Sequence, residues 1–171
     1  QNYKDNADKR VLKHSKKAES KGYYIEKSLD FECVVSCLKA SEERKGFSHV
    51  VDVRGLNMLN QLMTPDYFHC YLVKDKHGNA VGARVLLLAE EYKVLAWSAG
   101  INSSALRDGV NHFMVDKLLE LYTNKGYKIF DFVGANIPAV AEMKEGWGGE
   151  LTTYYSIRAP SLRNQLISNY K

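Results

Sequence analysis

The sequence predicts an α/β fold in which a mixed β-sheet carries helices on both faces. Three observations predict it: helical periodicity early in the chain, strand alternation with short turns in the middle, and a strand–helix–strand unit after that. The 171 residues are 45% hydrophobic and 26% charged, which is an ordinary globular balance. We therefore expect a single domain over residues 1–171.

The composition argues against several classes of protein. The three cysteines, Cys33, Cys37 and Cys70, are an odd number and a poor disulfide framework. Cys33 and Cys37 lie four residues apart, but no nearby His or Cys pair completes a zinc site, so we expect no metal. No apolar run approaches the ~20 residues of a membrane span, and the sequence contains no secretory signal. These features indicate a cytoplasmic domain, and an enzyme rather than a DNA-binding module.

The excess positive charge lies in the first segment of the chain. Residues 1–27 hold eight Lys or Arg and four Asp or Glu, which equals the net +4 of the whole sequence. Residues 7–21 have helical periodicity and end at Gly22. Five side chains at helical spacing form a basic face: Arg10, Lys13, His14, Lys17 and Lys21. This face fits a site for phosphates or tRNA, and the alternative is a solvated surface.

The next stretch predicts one strand and two helices. Residues 23–25 form the strand, and either Ser28 or Asp30 caps a helix that continues to about residue 45. The second helix covers residues 54–63, where apolar side chains recur at helical spacing. Both helices have one apolar face, as helices packed on a sheet do.

The middle of the chain predicts an antiparallel meander. Residues 67–75 and 80–90 alternate as strands, and the turn between them is 76–79. A tight corner at Glu91–Tyr92 leads into a third strand over residues 92–99. Short links of this kind join neighbouring antiparallel strands.

The last part of the chain predicts a parallel crossover. A polar loop at 101–109 precedes a helix over 109–124, which ends before Gly126. The strand at 127–133 then runs parallel to the strand at 92–99, because a helix separates them. After the loop Gly134–Pro138, four elements follow: a helix at 138–145, a turn at 146–149, a strand at 150–158 and a last helix at about 160–169.

In the order of its elements and in four stretches, the chain resembles the GNAT acyltransferase superfamily. Within it, the chain looks like the Fem-type transferases, which build peptide bridges in the bacterial cell wall. The stretches are the basic opening KRVLKHSKKAESKGY, the hairpin strand GNAVGARVLLL, the helix–Gly–strand unit NHFMVDKLLELYTNKGYKIFDFVG and the segment EMKEGWGGELTTYY. Together they extend over nearly the whole chain.

The resemblance implies an N-acyltransferase whose donor binds where two parallel strands splay apart, here 92–99 and 127–133. The donor would be an acyl-CoA cosubstrate or an aminoacyl-tRNA, and the acceptor would be an amine of a small molecule or of a cell-wall peptide precursor. Fem-type transferases usually carry two such domains, so the resemblance also implies a longer bacterial protein with a second GNAT-like domain. The alternative is a non-catalytic half that serves as a binding or interface module.

Two departures from the family pattern bear on the donor. Conventional acetyl-CoA users grip the pyrophosphate with a Gln/Arg-x-x-Gly-x-Gly/Ala loop at a helix N-terminus. Here that stretch reads INSSALRDGVNHF, which offers one flexible amide at Gly109 and one charge at Arg107. In the Fem-like segment, Met143 and Trp147 stand where that family tends to have Phe, although Lys144 matches.

Three side chains are candidates for the chemistry. By the resemblance, Lys144 would hold a phosphate or the reacting carbonyl of the donor, and the alternative is a surface lysine. Asp131 lies in an otherwise apolar strand, where it is either a base for the acceptor amine or a structural carboxylate bonded to backbone. Tyr154 either protonates a leaving group or packs.

Donor binding is expected at strand ends and loops, where backbone N–H groups can stabilise an oxyanion. The backbone near Trp97–Gly100 is the expected source of such an N–H group. The expected donor-binding residues are Trp97, Ser98, Gly100, Arg107, Gly109, His112, Gly134, Asn136, Gly146 and Gly148.

Overall fold

The computed structural model describes residues 3–45, 51–63, 66–89 and 92–155. It contains a five-stranded mixed sheet with helices on both faces, so the predicted fold class is confirmed. The helices are α1 (Lys9–Ser20), α2 (Phe31–Lys45), α3 (Val53–Leu62), α4 (Ser103–Leu106), α5 (Val110–Asn124) and α6 (Pro138–Glu145). The strands are β1 (Tyr24–Lys27), β2 (Phe68–Lys74), β3 (Ala80–Ala89), β4 (Lys93–Ile101) and β5 (Ile129–Asp131). In these described ranges, no helix has the length and apolar character needed to cross a membrane.

The strands lie in the sheet in chain order. β1 to β4 form an antiparallel meander, and β5 joins the far edge of β4 in parallel after the crossover through α5. The hairpin between β2 and β3 is built on Asp75, whose Oδ1 accepts hydrogen bonds of 2.9 Å from the N–H groups of His77 and Asn79. The turn predicted at 76–79 is therefore confirmed.

Two hydrophobic cores, one on each face, hold the helices to the sheet. On one face, α1 and α5 cover a core that includes Leu118 and Tyr122. On the other face, α2 and α3 cover a core that includes Leu38 and Leu56. Because both faces are covered, the first six residues of β2 are all buried.

Side-chain caps explain where three helices begin. Asp8 precedes α1, and its carboxylate accepts a hydrogen bond of 2.7 Å from an N–H group of the first turn. Of the two predicted caps for α2, Asp30 accepts from the N–H group of Cys33 at 3.0 Å. Asp52 caps α3 in the same way. Each carboxylate satisfies an N–H group that has no partner within its helix.

The structure corrects the predicted strands towards the C-terminal end. The strand expected over 127–133 is reduced to Ile129–Asp131, because the carboxylate of its last residue bonds to the N–H group of Val133 and turns the chain out of the sheet. Residues 150–155 are exposed and irregular rather than the start of a strand. The rest of that predicted strand, and the predicted last helix, lie outside the described residues.

Two predicted connections also differ in detail. The polar loop expected at 101–109 contains the short helix α4, and its first residue extends β4. At the corner expected between β3 and β4, Tyr92 has a φ of 58°, in the left-handed region that tight corners use. Glu91, the other corner residue, lies outside the described residues.

The first helix packs on this domain. Ser15 Oγ donates a hydrogen bond of 2.5 Å to Asp116 Oδ2 of α5, and Tyr3 OH donates one of 2.6 Å to Asp116 Oδ1. Val11 and Ala18 are buried at the same contact. The buried carboxylate therefore keeps two hydrogen bonds, and α1 belongs to the fold.

Candidate functional site

The sheet is open between β4 and β5. The two strands pair in parallel over three residues, from Lys93 opposite Ile129 to Leu95 opposite Asp131. β4 then continues to Ile101, and no described strand pairs with that part of its outer edge. The predicted splaying of the parallel strands is confirmed. It leaves an opening, which we call the β4–β5 cleft.

A β-bulge lies on β4 beside this opening. Ala96 and Ser98 pair with consecutive residues of β3, so Trp97 between them is an extra residue. Its side chain is 38% exposed, whereas Ser98 is buried. Bulges re-aim backbone and side chains next to active sites. Alternate residues of an edge strand also direct their N–H groups away from the sheet, so this stretch can offer donors to an oxyanion.

A strained turn forms the opposite side of the cleft. Val133 has a φ of 60°, which is unusual for a β-branched residue. Asp131 Oδ1 accepts from the N–H group of Val133 at 2.7 Å. Lys144 Nζ donates to the carbonyl oxygens of Phe132, at 2.7 Å, and of Gly134. The two charged side chains hold this turn, and strain of this kind persists only where the surroundings impose it.

Asp131 is held as a carboxylate. Its Oδ2 lies 2.8 Å from Lys93 Nζ, and its Oδ1 binds the Val133 N–H group. Partial burial raises the pKa of the Asp131 carboxyl, but the hydrogen bonds from Lys93 and Val133 lower it more, so the pKa lies below its usual value. A carboxylate with a lowered pKa is a weak base, and its geometry matches the structural alternative.

Tyr154 and Asn136 meet at the exposed end of the same loop. Asn136 Nδ2 donates a hydrogen bond of 2.8 Å to the Tyr154 hydroxyl oxygen, and the Tyr154 side chain is 61% exposed. The phenol therefore accepts from Asn136 and keeps its own proton for an acceptor in solvent or on a ligand.

Two of the expected donor-binding glycines are needed for packing. A Cβ at Gly100 would lie 2.3 Å from the carbonyl oxygen of Cys37, so this residue lets α2 approach β4. Gly109 has a φ of 83°, and a Cβ there would lie 2.3 Å from the carbonyl oxygen of His14. The start of α5 is thus covered on one side by α1.

Four further expected donor-binding residues lie with Gly109 around α1: Arg107, His112, Gly146 and Gly148. We call this region the α1 junction, where α1 meets the start of α5 and the turn 146–149. The carbonyl oxygen of Gly146 accepts from the N–H group of Asp8 at 2.8 Å, and Gly148 lies against Asn6. Arg107 is exposed, and its carbonyl oxygen accepts from Lys17 Nζ at 2.7 Å.

His112 is an uncharged side chain of the α1 junction. Its ring stacks on His14 at 5.2 Å and lies 6.3 Å from the ring of Trp147, centroid to centroid. Burial, followed by the charges of His14 and Arg10, lowers the pKa of His112 to about 4. Its Nδ1 has no hydrogen-bond partner in the described part of the chain. A neutral imidazole does not provide the charge expected of a phosphate ligand.

The predicted site residues therefore divide into two groups. The β4–β5 cleft gathers Trp97, Ser98, Gly100, Asp131, Gly134, Asn136, Lys144 and Tyr154. The α1 junction gathers Arg107, Gly109, His112, Gly146 and Gly148. Among the described residues, no group of three or more His, Cys, Asp or Glu side chains could hold a metal ion.

A cavity of about 470 Å³ lies where β5 begins, between that strand, α5 and the turn 146–149. Of the predicted residues, only Gly148 lines it. The residues of the bulge do not line it, so the cavity is separate from the β4–β5 cleft. Its walls are largely aromatic, with Tyr122, Tyr127, Phe130 and Trp147 among them.

Sequence reasoning missed two residues. Val133 has no sequence signal, because a left-handed valine is imposed by its neighbours. Arg84 does have a sequence signal, because it is a charged residue inside the strand pattern AVGARVLLLA. The structure buries this guanidinium under α5.

Known proteins were compared with the chain by sequence and by structure. No protein-family model and no curated protein matches the sequence. Among solved structures, an aminoglycoside acetyltransferase from an uncultured soil metagenomic sample, in complex with sisomicin, has a TM-score of 0.59 at 18% identity, over 80% of this chain and 97% of its own. AAC(6')-Iy, in complex with the bisubstrate analogue CoA-S-monomethyl-acetylneamine, has a TM-score of 0.55 at 15% identity. That match covers 80% of this chain and 99% of AAC(6')-Iy. FemX has a TM-score of 0.70 at 14% identity, over 84% of this chain and 54% of its own.

The fold is that of the GNAT acyltransferases. It is shared with neighbours that include both acetyltransferases and FemX. At these identities the similarity establishes the GNAT fold, and the ligands belong to the neighbours. The chain spans about half the length of FemX.

Proposed function

We propose that this chain is an N-acyltransferase that moves an acyl or aminoacyl group from an activated donor to an amine. The observation that carries the proposal is the β4–β5 cleft, with the bulge at Trp97 on one side and the strained turn at Val133 on the other. A ligand at the carboxyl ends of parallel strands is the general expectation for an α/β sheet. The GNAT fold adds support, since neighbours with this fold include N-acetyltransferases.

The reaction needs positioning more than covalent help. The amine nitrogen attacks the carbonyl carbon of the donor and forms the C–N bond, and the C–S or C–O bond to the donor breaks. The electron pair leaves with the thiolate or the ribose oxygen. The amine proton passes to solvent. The leaving group takes a proton from Tyr154, whose phenolate is reprotonated from solvent. N–H groups of the β4 edge near Trp97 would stabilise the oxyanion between these steps.

In this proposal Lys144 and Asp131 are positioning residues. Lys144 donates to the two carbonyl oxygens beside Val133, and Asp131 binds the N–H group between them. Both side chains act through the turn that limits the cleft. Tyr154 is the proposed acid for the leaving group, because its hydroxyl accepts from Asn136 and has a proton to give.

The donor is an acyl-CoA or an aminoacyl-tRNA. The bisubstrate complex of one neighbour favours CoA, and the similarity to FemX favours the Fem-type branch, with a cell-wall peptide precursor as acceptor and a second GNAT-like domain in the parent protein. Against conventional CoA binding, Gly109 lies against the His14 carbonyl oxygen. In favour of it, Arg107 of the same loop is exposed. Of the other eight expected donor-binding residues, those that line the cleft keep that role in the proposal. The rest support the α1 junction.

A tRNA donor would contact α1 through lysines on its solvent side. Two cations of the basic face expected from the sequence form ion pairs within the chain. Arg10 pairs with Glu142 at 2.9 Å, and Lys21 pairs with Asp108 at 2.5 Å. Lys13 is exposed and makes no described ion pair. Substituting Lys13 together with its exposed neighbours Lys9 and Lys16 should weaken tRNA binding and its salt dependence.

The proposal is tested by an acyl-transfer assay with two donor panels, acyl-CoAs and aminoacyl-tRNAs, and a mixture of primary amines. Lys144→Met should fold and lose at least about tenfold in rate, since a loosened turn misplaces the reactants. Lys39→Met, at an exposed lysine of α2, is the control and should keep the full rate. Equal rates for the two variants would remove Lys144 from the mechanism.

The second candidate function is a non-catalytic half that forms an interface. Its support is that the charged groups of the cleft, Lys144 and Asp131, bond within the chain. Under this alternative the isolated chain transfers no group with either donor panel. A full-length protein would also stay active when Lys144 and Asp131 are both changed.

A further inference from the structure

The cavity at the start of β5, which we call the aromatic cavity, is separate from the β4–β5 cleft. Its volume of about 470 Å³ is in the range of sites that bind small molecules. It lies between the second half of α5, β5 and the turn 146–149. The acyl transfer proposed above makes no use of it, so the aromatic cavity is a candidate site for a second ligand.

Two tyrosines of its wall have hydroxyl groups that are already bonded within the fold. Tyr3 OH donates a hydrogen bond of 2.6 Å to Asp116 Oδ1. The Tyr122 hydroxyl forms a hydrogen bond of 2.5 Å with His69 Nδ1. Because both hydroxyl groups have partners outside the cavity, these two residues offer mainly ring carbons to a ligand.

The rings of the wall already pack edge to face. Tyr122 and Tyr127 lie 5.2 Å apart, centroid to centroid, with 89° between their planes. Phe130 and Phe132 are also 5.2 Å apart, at 60°, and both are half-buried. Aromatic rings prefer this arrangement, and a further ring in the cavity can continue it while it removes apolar surface from water.

The charges around the aromatic cavity are positive. Lys128 is exposed and is the one charged side chain in the described part of the lining, which contains no Asp or Glu. Lys125 Nζ lies 5.6 Å from the ring centroid of Tyr122, a wall residue. Neither lysine forms an ion pair with a described carboxylate. The site therefore favours a ligand with negative charge.

We propose that the aromatic cavity binds a small aromatic carboxylate. The ring of the ligand lies among the wall rings, and its carboxylate lies at the open side near Lys128 and Lys125. This inference goes beyond acyl transfer and does not rest on it, because binding requires no turnover.

The first test uses Trp147, a wall residue, as the reporter of binding. The sequence has two tryptophans, so Trp97→Phe leaves Trp147 as the single one. Adding 3-phenylpropionate to this variant should change the Trp147 fluorescence to saturation and raise the midpoint of thermal unfolding. No saturable change together with no rise in the midpoint would overturn the proposal.

Two further probes separate the contributions of ring and charge. The amine 3-phenylpropylamine carries the same ring and a positive charge, and should bind about fivefold more weakly than 3-phenylpropionate. Propionate has the carboxylate without the ring and should not bind. Equal or tighter binding of the amine, or binding of propionate as tight as that of 3-phenylpropionate, would overturn the proposed class of ligand.

A substitution at the open side tests the location. Thr123 is an exposed residue of the last turn of α5 that lines the cavity, and Thr123→Phe should fill part of the cavity and abolish binding. Asn124→Phe is the matched control, since Asn124 is exposed on the same turn but does not line the cavity. Equal affinities of the two variants for 3-phenylpropionate would place the ligand elsewhere and overturn the proposal.

A charge reversal gives a second test that does not depend on filling the cavity. Lys128→Glu should weaken the binding of 3-phenylpropionate and strengthen that of 3-phenylpropylamine. Lys39→Glu, at an exposed lysine of α2 on the other face of the sheet, should leave both affinities as they are in wild type. An unchanged preference in Lys128→Glu would contradict the role of this charge and overturn the proposal.

Discussion

The β4–β5 cleft and the α1 junction use the same kinds of residue for different purposes. In the cleft, Lys144 and Asp131 bind backbone groups of a strained turn and keep an open sheet edge in a defined shape. In the α1 junction, Gly109 allows α1 to approach the start of α5. His112 is held there as a neutral imidazole, because its pKa is lowered. Glycine, histidine and lysine in a motif therefore do not identify a ligand site until the packing around them is known.

The largest effect that separates the two regions concerns a glycine of the cleft. Gly100→Ala should lower the free energy of unfolding by about 3 kcal/mol, because its Cβ would overlap the Cys37 carbonyl oxygen and the Leu38 Cα. Gly134→Ala is the matched control, since a Cβ there meets nothing within 4 Å. Urea unfolding measures both. A loss below 1 kcal/mol for Gly100→Ala, on the scale of surface changes, would mean that α2 does not lie so close to β4.

The next effect is the pH dependence of the α1 junction. The folded-state pKa of His112, about 4, is below the unfolded value near 6.5, so its contribution to stability is present above pH 6.5 and is lost as the pH falls towards 4. Because the ring is partly exposed, we expect a loss of about 1–2 kcal/mol. His112→Phe should show a smaller decrease across this window, and the exposed His77→Phe should follow wild type. Parallel curves for wild type and His112→Phe would contradict the burial of a neutral imidazole.

A smaller effect, of opposite sign, tests the strained turn of the cleft. Val133→Asn should raise the free energy of unfolding by about 1 kcal/mol, since Asn tolerates the left-handed region better than a β-branched residue. Leu151→Asn is the control, because Leu151 is also an exposed apolar residue but is not in the left-handed region. Denaturant midpoints compare the two. Equal effects would show that Val133 stores no strain.

The smallest effect concerns the surface charges of the α1 junction. Arg10→Ala removes an exposed ion pair with Glu142 and should cost less than about 0.5 kcal/mol. Ser15→Ala removes a hydrogen bond to the buried Asp116 carboxylate and should cost more, about 1–2 kcal/mol. The two unfolding curves rank the contributions. A larger cost for Arg10→Ala would mean that charge, rather than burial, holds α1.

The sequence predicted the elements that have a local cause. The hairpin at 76–79 follows from Asp75, and the start of α2 follows from Asp30, so both were predictable from residue type. The order of the strands followed from short links and one crossover.

The parts that sequence could not predict depend on distant contacts. The end of β5 at Asp131 depends on a side-chain bond to Val133 and on Lys144, thirteen residues along the chain from Asp131. Gly109 looked like a donor-binding glycine because its partner, the His14 carbonyl, is far away in sequence. Residue type alone cannot distinguish a glycine that approaches a ligand from one that approaches a helix.

The central claim, acyl transfer in the β4–β5 cleft, is tested most directly by filling that cleft. Gly134 borders it, and a side chain there enters open space, so Gly134→Phe should fold with an unchanged melting midpoint. We expect wild type to transfer a labelled acyl or aminoacyl group to an amine, and Gly134→Phe to lose most of that rate. Full activity in Gly134→Phe, or no transfer by wild type with either donor panel, would contradict the claim.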